Sequence, residues 1–285
     1  MKKHLSTIFI ALILFSGISL LLYPSVSDYI NKINRGKEIT DYAESVSKTD
    51  KATYERMWNE AVKYNEELTK KPAHWRLSEE ESQEYERILD VSGTGIMSYV
   101  EIPKLNSSLP IYHGTDVDVL QIAVGHLAGS SLPVGGKSTH TVLSAHRGLP
   151  SAKLFTNLDK LTEGDVFYIR TLNETLCYEV DQISIVLPKE TENLHIESGE
   201  DFCTLITCTP YGVNTHRLLV RGKRVDNEQN YDVRITADAM QIDQYMVAPV
   251  IAAPVVLILF VTVIAYKRKK SGERKQVYYE SKYKS

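Results

Sequence analysis

The chain has 285 residues, with 33 Lys and Arg against 36 Asp and Glu, and 43% of its residues are hydrophobic. This length holds one sizeable globular domain plus accessory segments, and the ordinary apolar and charged fractions exclude wholesale disorder. Charge is unevenly spread: residues 267–285 carry a net +6 and Lys2 and Lys3 add +2, so the total of −3 leaves −11 on residues 4–266. An acidic body of that kind excludes nucleic acid as a partner.

Leu5 to Tyr23 is 19 residues without a charge, preceded by Lys2 and Lys3. It is long enough to cross a hydrocarbon core as a helix, and with no small-residue cleavage site cleanly after Leu22 it reads as an anchor rather than a signal peptide. Residues 1–24 are therefore a cytoplasmic end and a transmembrane helix. Residues 25–70 are rich in Glu, Lys and Ala, with apolar residues around Tyr29, Ile30 and Ile33 and later at Tyr54, Met57, Trp58, Val62 and Tyr64. They predict an extracellular helical region with a break at Arg35-Gly36. Residues 71–94 begin Lys71-Pro72-Ala73-His74-Trp75 and continue through an acidic run from Glu79 to Glu86; they predict a surface excursion containing one turn of helix.

Residues 95–228 turn to short β segments, predicted near 96–102, 109–112, 139–145, 165–171, 175–187, 202–208 and 216–224. Turn signals separate them, among them Gly135-Gly136, Gly148, Gly164-Asp165 and Asn173-Glu174. Short helices fit at Val117–Ala123 and Ala152–Leu158. The fold class is mainly β, a small closed or nearly closed barrel. Residues 229–245 are a linker. Met246 to Tyr266 is 21 residues without a charge, stopped by Lys267-Arg268-Lys269-Lys270, and predicts a second transmembrane helix in which Pro249 and Pro254 are tolerated. Basic residues before the first span and after the second put both termini in the cytoplasm and the middle outside. The tail, 267–285, suits anionic lipid headgroups.

Three cysteines, at 177, 203 and 208, form no disulfide framework and leave at least one free thiol. Neither a C-x-x-C pair nor an H-E-x-x-H run is present, so zinc has little support. Cys208 ends the alternating strand Phe202-Cys203-Thr204-Leu205-Ile206-Thr207-Cys208, and Thr209-Pro210-Tyr211-Gly212 stops it there. Its thiol is thereby placed at a rim, whereas Cys177 and Cys203 lie inside strands. Five positions separate Cys203 from Cys208, so the two point to opposite faces. His146 ends Thr139-His140-Thr141-Val142-Leu143-Ser144-Ala145 and is followed by Arg147-Gly148. A cysteine nucleophile needs such a base nearby. Of the competing histidines, His140 is inside the strand and reads as structural, His126 lies in a glycine-rich loop and His113 in a turn. Arg217, on the strand Thr215-His216-Arg217-Leu218-Leu219-Val220-Arg221-Gly222, supplies a guanidinium for an oxyanion. Arg221 shares its face, and spacing alone does not separate the two.

Taken together these residues resemble the sortase family. Thr204-Leu205-Ile206-Thr207-Cys208 is similar to its nucleophile strand, Thr141-Val142-Leu143-Ser144-Ala145-His146-Arg147-Gly148 to its histidine strand, and the nine-residue step to Arg217 also fits. Ile102-Pro103, Leu109-Pro110-Ile111-Tyr112-His113-Gly114 and the loop Gly125 to Pro133 support the match, which covers residues 90 to 225. The long N-terminal helical region, the excursion before the barrel and the C-terminal span resemble the class C, pilus-assembling sortases of Gram-positive bacteria.

The resemblance implies a sortase-like barrel of about eight strands and a cysteine transpeptidase with Cys208, His146 and Arg217 as catalytic residues. Such an enzyme cleaves an LPxTG-like sorting signal through a thioester and passes the acyl group to a pilin lysine, with no metal or organic cofactor. Its partners are pilin or surface-protein precursors and membrane lipid. It also implies that 71–94 is a lid, with Ala73, His74 and Trp75 where the family has Asp-Pro-aromatic. Only the aromatic is kept here. A housekeeping-type sortase that anchors proteins to wall peptide is the nearest alternative, and a noncatalytic surface scaffold is one of another class.

Overall fold

The computed structural model describes residues 2–70 and 75–226. The described residues from Val26 onward form one compact unit, and those up to Ser25 belong to another. Helix α1 runs Lys2–Lys48 and α2 runs Lys51–Leu68, with Asp50 capping α2 by accepting from the Thr53 N–H at 3.0 Å. Helix α3, Glu79–Arg87, opens on a capping box between Ser78 and Glu81 and carries Glu79, Glu80 and Glu81 in its first turn, where the helix dipole favours acids. Among the described residues one helix, from Leu12 to Lys48, is long and apolar enough to cross a membrane, with a mean hydropathy of 1.4 in its most apolar window.

Eight strands follow: β1 Ile96–Ile102, β2 Ser107–His113, β3 Val124–His126, β4 Thr139–Ser144, β5 Val166–Thr171, β6 Glu174–Val186, β7 Asp201–Thr209 and β8 His216–Val225. A short helix α4, Val117–Ile122, leads into β3. The strands close into a barrel in the order β1-β2-β3-β4-β7-β8-β6-β5. The β2–β3 and β4–β7 pairs are parallel and the others antiparallel. The predicted closed barrel of about eight strands with N-terminal helices is therefore present.

Alternation along the strands sorts the residues into an inside and an outside. Leu143, Cys203, Leu205, Leu218 and Val220 belong to the main core, with Met97, Ile111, Phe167 and Ile169. Gly222 is the strand glycine that this packing requires: a Cβ there would lie 2.6 Å from the Phe167 ring and 2.8 Å from Tyr178. The helices add to the same core. Tyr42 of α1 is buried, accepts from the Leu172 N–H at 2.8 Å and donates to the Met97 carbonyl at 3.0 Å. Asn65 of α2 both donates to the Leu132 carbonyl at 3.0 Å and accepts from its N–H at 2.7 Å. In this way α1 and α2 dock on the barrel wall through apolar residues and paired polar groups.

Five sequence expectations need correction. No break occurs at Arg35-Gly36, because α1 continues to Lys48. A helical glycine costs about 1 kcal/mol, and the buried stripe of Ile39, Tyr42 and Val46 just beyond it outweighs that cost. The helix expected at Ala152–Leu158 is replaced by turns: Ala152, Leu154, Phe155 and Leu158 are all buried, but Leu154 takes φ of +34°, which interrupts any helix. His126 lies in the three-residue strand β3 rather than a loop, and His113 is the last residue of β2 rather than part of a turn. The excursion at 71–94 holds the nine-residue α3, more than one turn. The second predicted span, Met246 to Tyr266, and the basic tail lie outside the described residues.

Candidate active site

Strand register builds the site. In the β7–β8 antiparallel ladder Cys208 is directly opposite Arg217, which puts their Cα atoms about 4.5–5.5 Å apart. On the other flank β4 runs parallel to β7 with Ser144 level with Ile206. The pairing continues past the strand end: the Ala145 N–H donates to the Ile206 carbonyl at 3.1 Å, and the Thr207 hydroxyl donates to the Ala145 carbonyl at 2.8 Å. Two residues beyond Ser144 is His146, and two beyond Ile206 is Cys208. Extended two residues past the end of β4, this register sets His146 level with Cys208, so His146, Cys208 and Arg217 fall in one row where the chain after β4 and the end of β7 meet loops.

The row faces outward. Ile206 and Leu219 share faces with Cys208 and Arg217, and Val142 shares one with His146. These three residues with Leu194 form a second apolar cluster, separate from the barrel interior, against which Trp75, Leu127 and Val186 pack. The outer wall beside the row is therefore an apolar floor. Its rim is the β6–β7 loop, which carries Leu194 and His195. That loop is tied down: the His195 carbonyl accepts from His140 Nδ1 at 2.9 Å, and Arg221 reaches Glu197 at 3.3 Å.

Among the three free thiols only Cys208 is partly exposed. Burial pushes the Cys203 thiol well above its usual range and raises that of Cys177 as well. The histidines separate in the same way. His140 is buried, with Nε2 2.7 Å from the Thr204 hydroxyl, and burial pushes its pKa down to about 4. His126 is fully buried between the Tyr85 hydroxyl and the Ser131 carbonyl, each at 2.8 Å, and burial again brings its pKa down to about 4. Both are neutral structural groups. His146 is half-buried at the rim, and its carbonyl accepts from the Phe155 N–H at 3.2 Å.

The two arginines also part company. Arg221 holds Asp181 at 2.7 Å and Glu197 at 3.3 Å, and its guanidinium sits 4.1 Å over the Phe202 ring. Among the described residues Arg217 donates to the carbonyls of His216 and Asn214, at 3.1 and 3.3 Å. No carboxylate pairs with it among the described residues, so its guanidinium is available to a developing oxyanion.

Of the three residues expected in a lid, Ala73 and His74 lie outside the described residues. Trp75 sits on the apolar floor and stacks on the His195 ring, centroids 6.3 Å apart and planes at 14°. His195 and Arg147 were not legible as site residues in the sequence. Arg147 follows His146 directly. Its side chain is 9% exposed, pairs with Asp159 at 2.6 Å and reaches Thr209, next to Cys208, at 3.4 Å. The Tyr211 ring lies 5.9 Å from it, and Gly148 at φ +79° lets that ring approach, since a Cβ there would be 2.9 Å from it. The one available signal was adjacency: both residues bonded by this contact follow a candidate catalytic residue.

Residues 100–225 match the model of the sortase domain. A solved structure of sortase C1 from Streptococcus agalactiae is 50% identical, with a TM-score of 0.66 over 67% of this chain and 100% of that one. Sortase C from Streptococcus pneumoniae is 44% identical, with a TM-score of 0.59 over 67% of this chain and 97% of that one. Among curated proteins, sortase D of Bacillus subtilis is 33% identical over 129 residues, 44% of this chain and 62% of that protein. The chain thus spans about three fifths of the length of that curated relative.

Proposed function

The chain belongs to the sortase family, and we propose that it is a class C transpeptidase that polymerises pilins at a Gram-positive cell surface. The observation that carries this reading is the pairing of Cys208 with Arg217 across β7 and β8, with His146 two residues past the end of the neighbouring β4 and Cys208 the one partly exposed thiol among the three cysteines. The Cys208 thiolate attacks the Thr–Gly carbonyl of an LPxTG-like sorting signal. Arg217 and backbone N–H groups hold the tetrahedral oxyanion. Protonated His146 gives its proton to the leaving glycine amine, and a thioester remains on Cys208. A lysine amine of the next pilin then loses a proton to His146 and takes the acyl group. No metal or organic cofactor enters either step.

Three features favour the class C role over wall anchoring. The barrel carries N-terminal helices, an aromatic residue sits on the floor beside the catalytic row, and related solved structures include a sortase C discussed for its pilin substrate specificity. The segment around Ala73, His74 and Trp75 acts as a lid held mainly by the Trp75 ring. The N-terminal apolar helix anchors the chain. With the span at Met246 to Tyr266 and the basic tail, both termini lie in the cytoplasm, the catalytic unit lies outside, and the tail meets anionic lipid. The test is incubation of the full chain, in detergent, with candidate pilins and analysis on a denaturing gel. Covalent ladders absent in Cys208→Ala are expected. Products joined only to wall-peptide amines would overturn the pilus role.

A further inference from the structure

The backbone of His146 is held by the loop that follows it, residues 147–157. The Phe155 N–H returns to the His146 carbonyl at 3.2 Å, the Gly148 N–H donates to the Thr156 hydroxyl at 3.0 Å, and Leu149 bridges Ala152. The tip of this loop is in turn held by α1. The Asp28 carboxylate accepts from the Lys153 N–H at 2.8 Å, and the Asn31 side-chain amide donates to the Ser151 carbonyl at 2.7 Å. Asp28, Asn31 and Arg35 lie on one face of the helix. Asp28 and Arg35 are 8% and 7% exposed, with the guanidinium 3.9 Å from the carboxylate.

The chemistry of the contact is specific. One side chain accepts and the other donates, to a backbone donor and a backbone acceptor two residues apart, so the pair reads the loop's direction and register. We propose that Asp28 and Asn31 are positioning residues for the transfer reaction: by gripping the Lys153 N–H and the Ser151 carbonyl they hold the loop that sets His146 against Cys208. The proposal rests on the reading of His146 as the proton carrier. A dock that served only to fasten α1 would affect stability. A positioning contact affects the proton-transfer steps, because a misplacement of about 1 Å at a reacting group costs on the order of 10²-fold in rate.

The experiment uses the full chain in detergent micelles with a peptide bearing an LPxTG-like signal, and reads kcat, KM, the pH profile of kcat and the melting temperature. Asp28→Ala removes the acceptor. Asn31→Asp keeps the shape but turns the donor into an acceptor facing a carbonyl. Both are expected to lower kcat by about ten- to a hundredfold with KM little changed, and to shift the pH profile. Asp28→Asn keeps an acceptor oxygen and is expected to restore most of kcat, which also guards against an Asp28→Ala variant that fails to fold. His146→Ala is run alongside. Wild-type kcat in Asp28→Ala and Asn31→Asp beside an inactive His146→Ala overturns the proposal alone. Undiminished turnover in His146→Ala overturns the reading beneath it as well. A loss of melting temperature with kcat unchanged identifies a mere dock and also overturns it.

Discussion

The two outward arginines of β8 give the sharpest test of the site, because they should fail in opposite ways. Arg217→Ala removes a guanidinium with no carboxylate partner among the described residues, so its stability cost should stay within about 0.5 kcal/mol, typical of a surface change away from special features. Its cost to chemistry should be large. Loss of one oxyanion donor removes about 2.7–4 kcal/mol of transition-state stabilisation, roughly 10²–10³ in rate. Arg221→Ala deletes contacts to Asp181 and Glu197 and the stacking over Phe202. The cation–π contact is worth about 0.5–1 kcal/mol and the partly exposed ion pairs about as much again, for a total of about 1–2 kcal/mol. In a domain of this size that lowers the melting temperature by roughly 2–8 °C. Single-turnover thioester formation with a sorting peptide, and thermal unfolding followed by circular dichroism, read the two effects separately. Slow thioester formation in Arg221→Ala with an active Arg217→Ala would refute the assignment. Equal rate losses in both would show that the row at Cys208 does not define the oxyanion site.

Cys208→Ala should abolish thioester formation with the fold unchanged. Cys203→Ser should keep turnover and lose about 1–3 kcal/mol of stability, since a buried hydroxyl would replace a thiol in the core; an active Cys208→Ala is the refuting result. Trp75→Ala should speed alkylation of Cys208 by a bulky reagent, with little salt dependence, because the ring rests on apolar residues and on His195. Unchanged alkylation with a large stability loss would place Trp75 in a structural role instead. Acid should destabilise the fold through His126 and His140, whose pKa values fall from 6.5 to about 4 on burial. Between those values the unfolded chain binds protons that the native one refuses, so stability rises with pH there, and roughly 3 kcal/mol per imidazole is lost on descending to pH 4. A melting temperature that stays flat from pH 7 to 4 would contradict this.

What the sequence disclosed about the site followed from local pattern. Cys208 and His146 each close an alternating strand just before loop residues, and alternation alone separates Cys208 from Cys203. The register between strands was not available, even for the consecutive β7 and β8, and that is what sets Arg217 opposite Cys208 and Arg221 opposite Thr204. Arg221 is occupied by Asp181, 40 residues away, a contact that no spacing rule reports. The same holds for α1, whose Asn31 and Asp28 reach partners 120 and 125 residues later. The three-residue β3 was too short to show a period, and the 152–158 segment was too apolar for periodicity to tell a helix from a buried irregular loop.

The parity of β7 explains why so compact a motif carries both stability and chemistry. Cys203, Leu205 and Thr207 point into the barrel, while Phe202, Thr204, Ile206 and Cys208 point out. A slip of one residue would bury Cys208 and expose the core. The register is therefore itself a determinant of the site, and several side chains pin it. Arg221 stacks on Phe202, the Thr204 hydroxyl meets His140, and the Thr207 hydroxyl bonds the Ala145 carbonyl. Each contact ties β7 to a neighbouring strand at a different level, and the last lies one residue before both His146 and Cys208. Thr207→Val, which keeps the shape and β-branching but leaves the Ala145 carbonyl without this donor, should therefore slow transfer more than a buried hydrogen bond's stability cost of about 1 kcal/mol would suggest. Wild-type transfer with only a stability loss would confine Thr207 to the core.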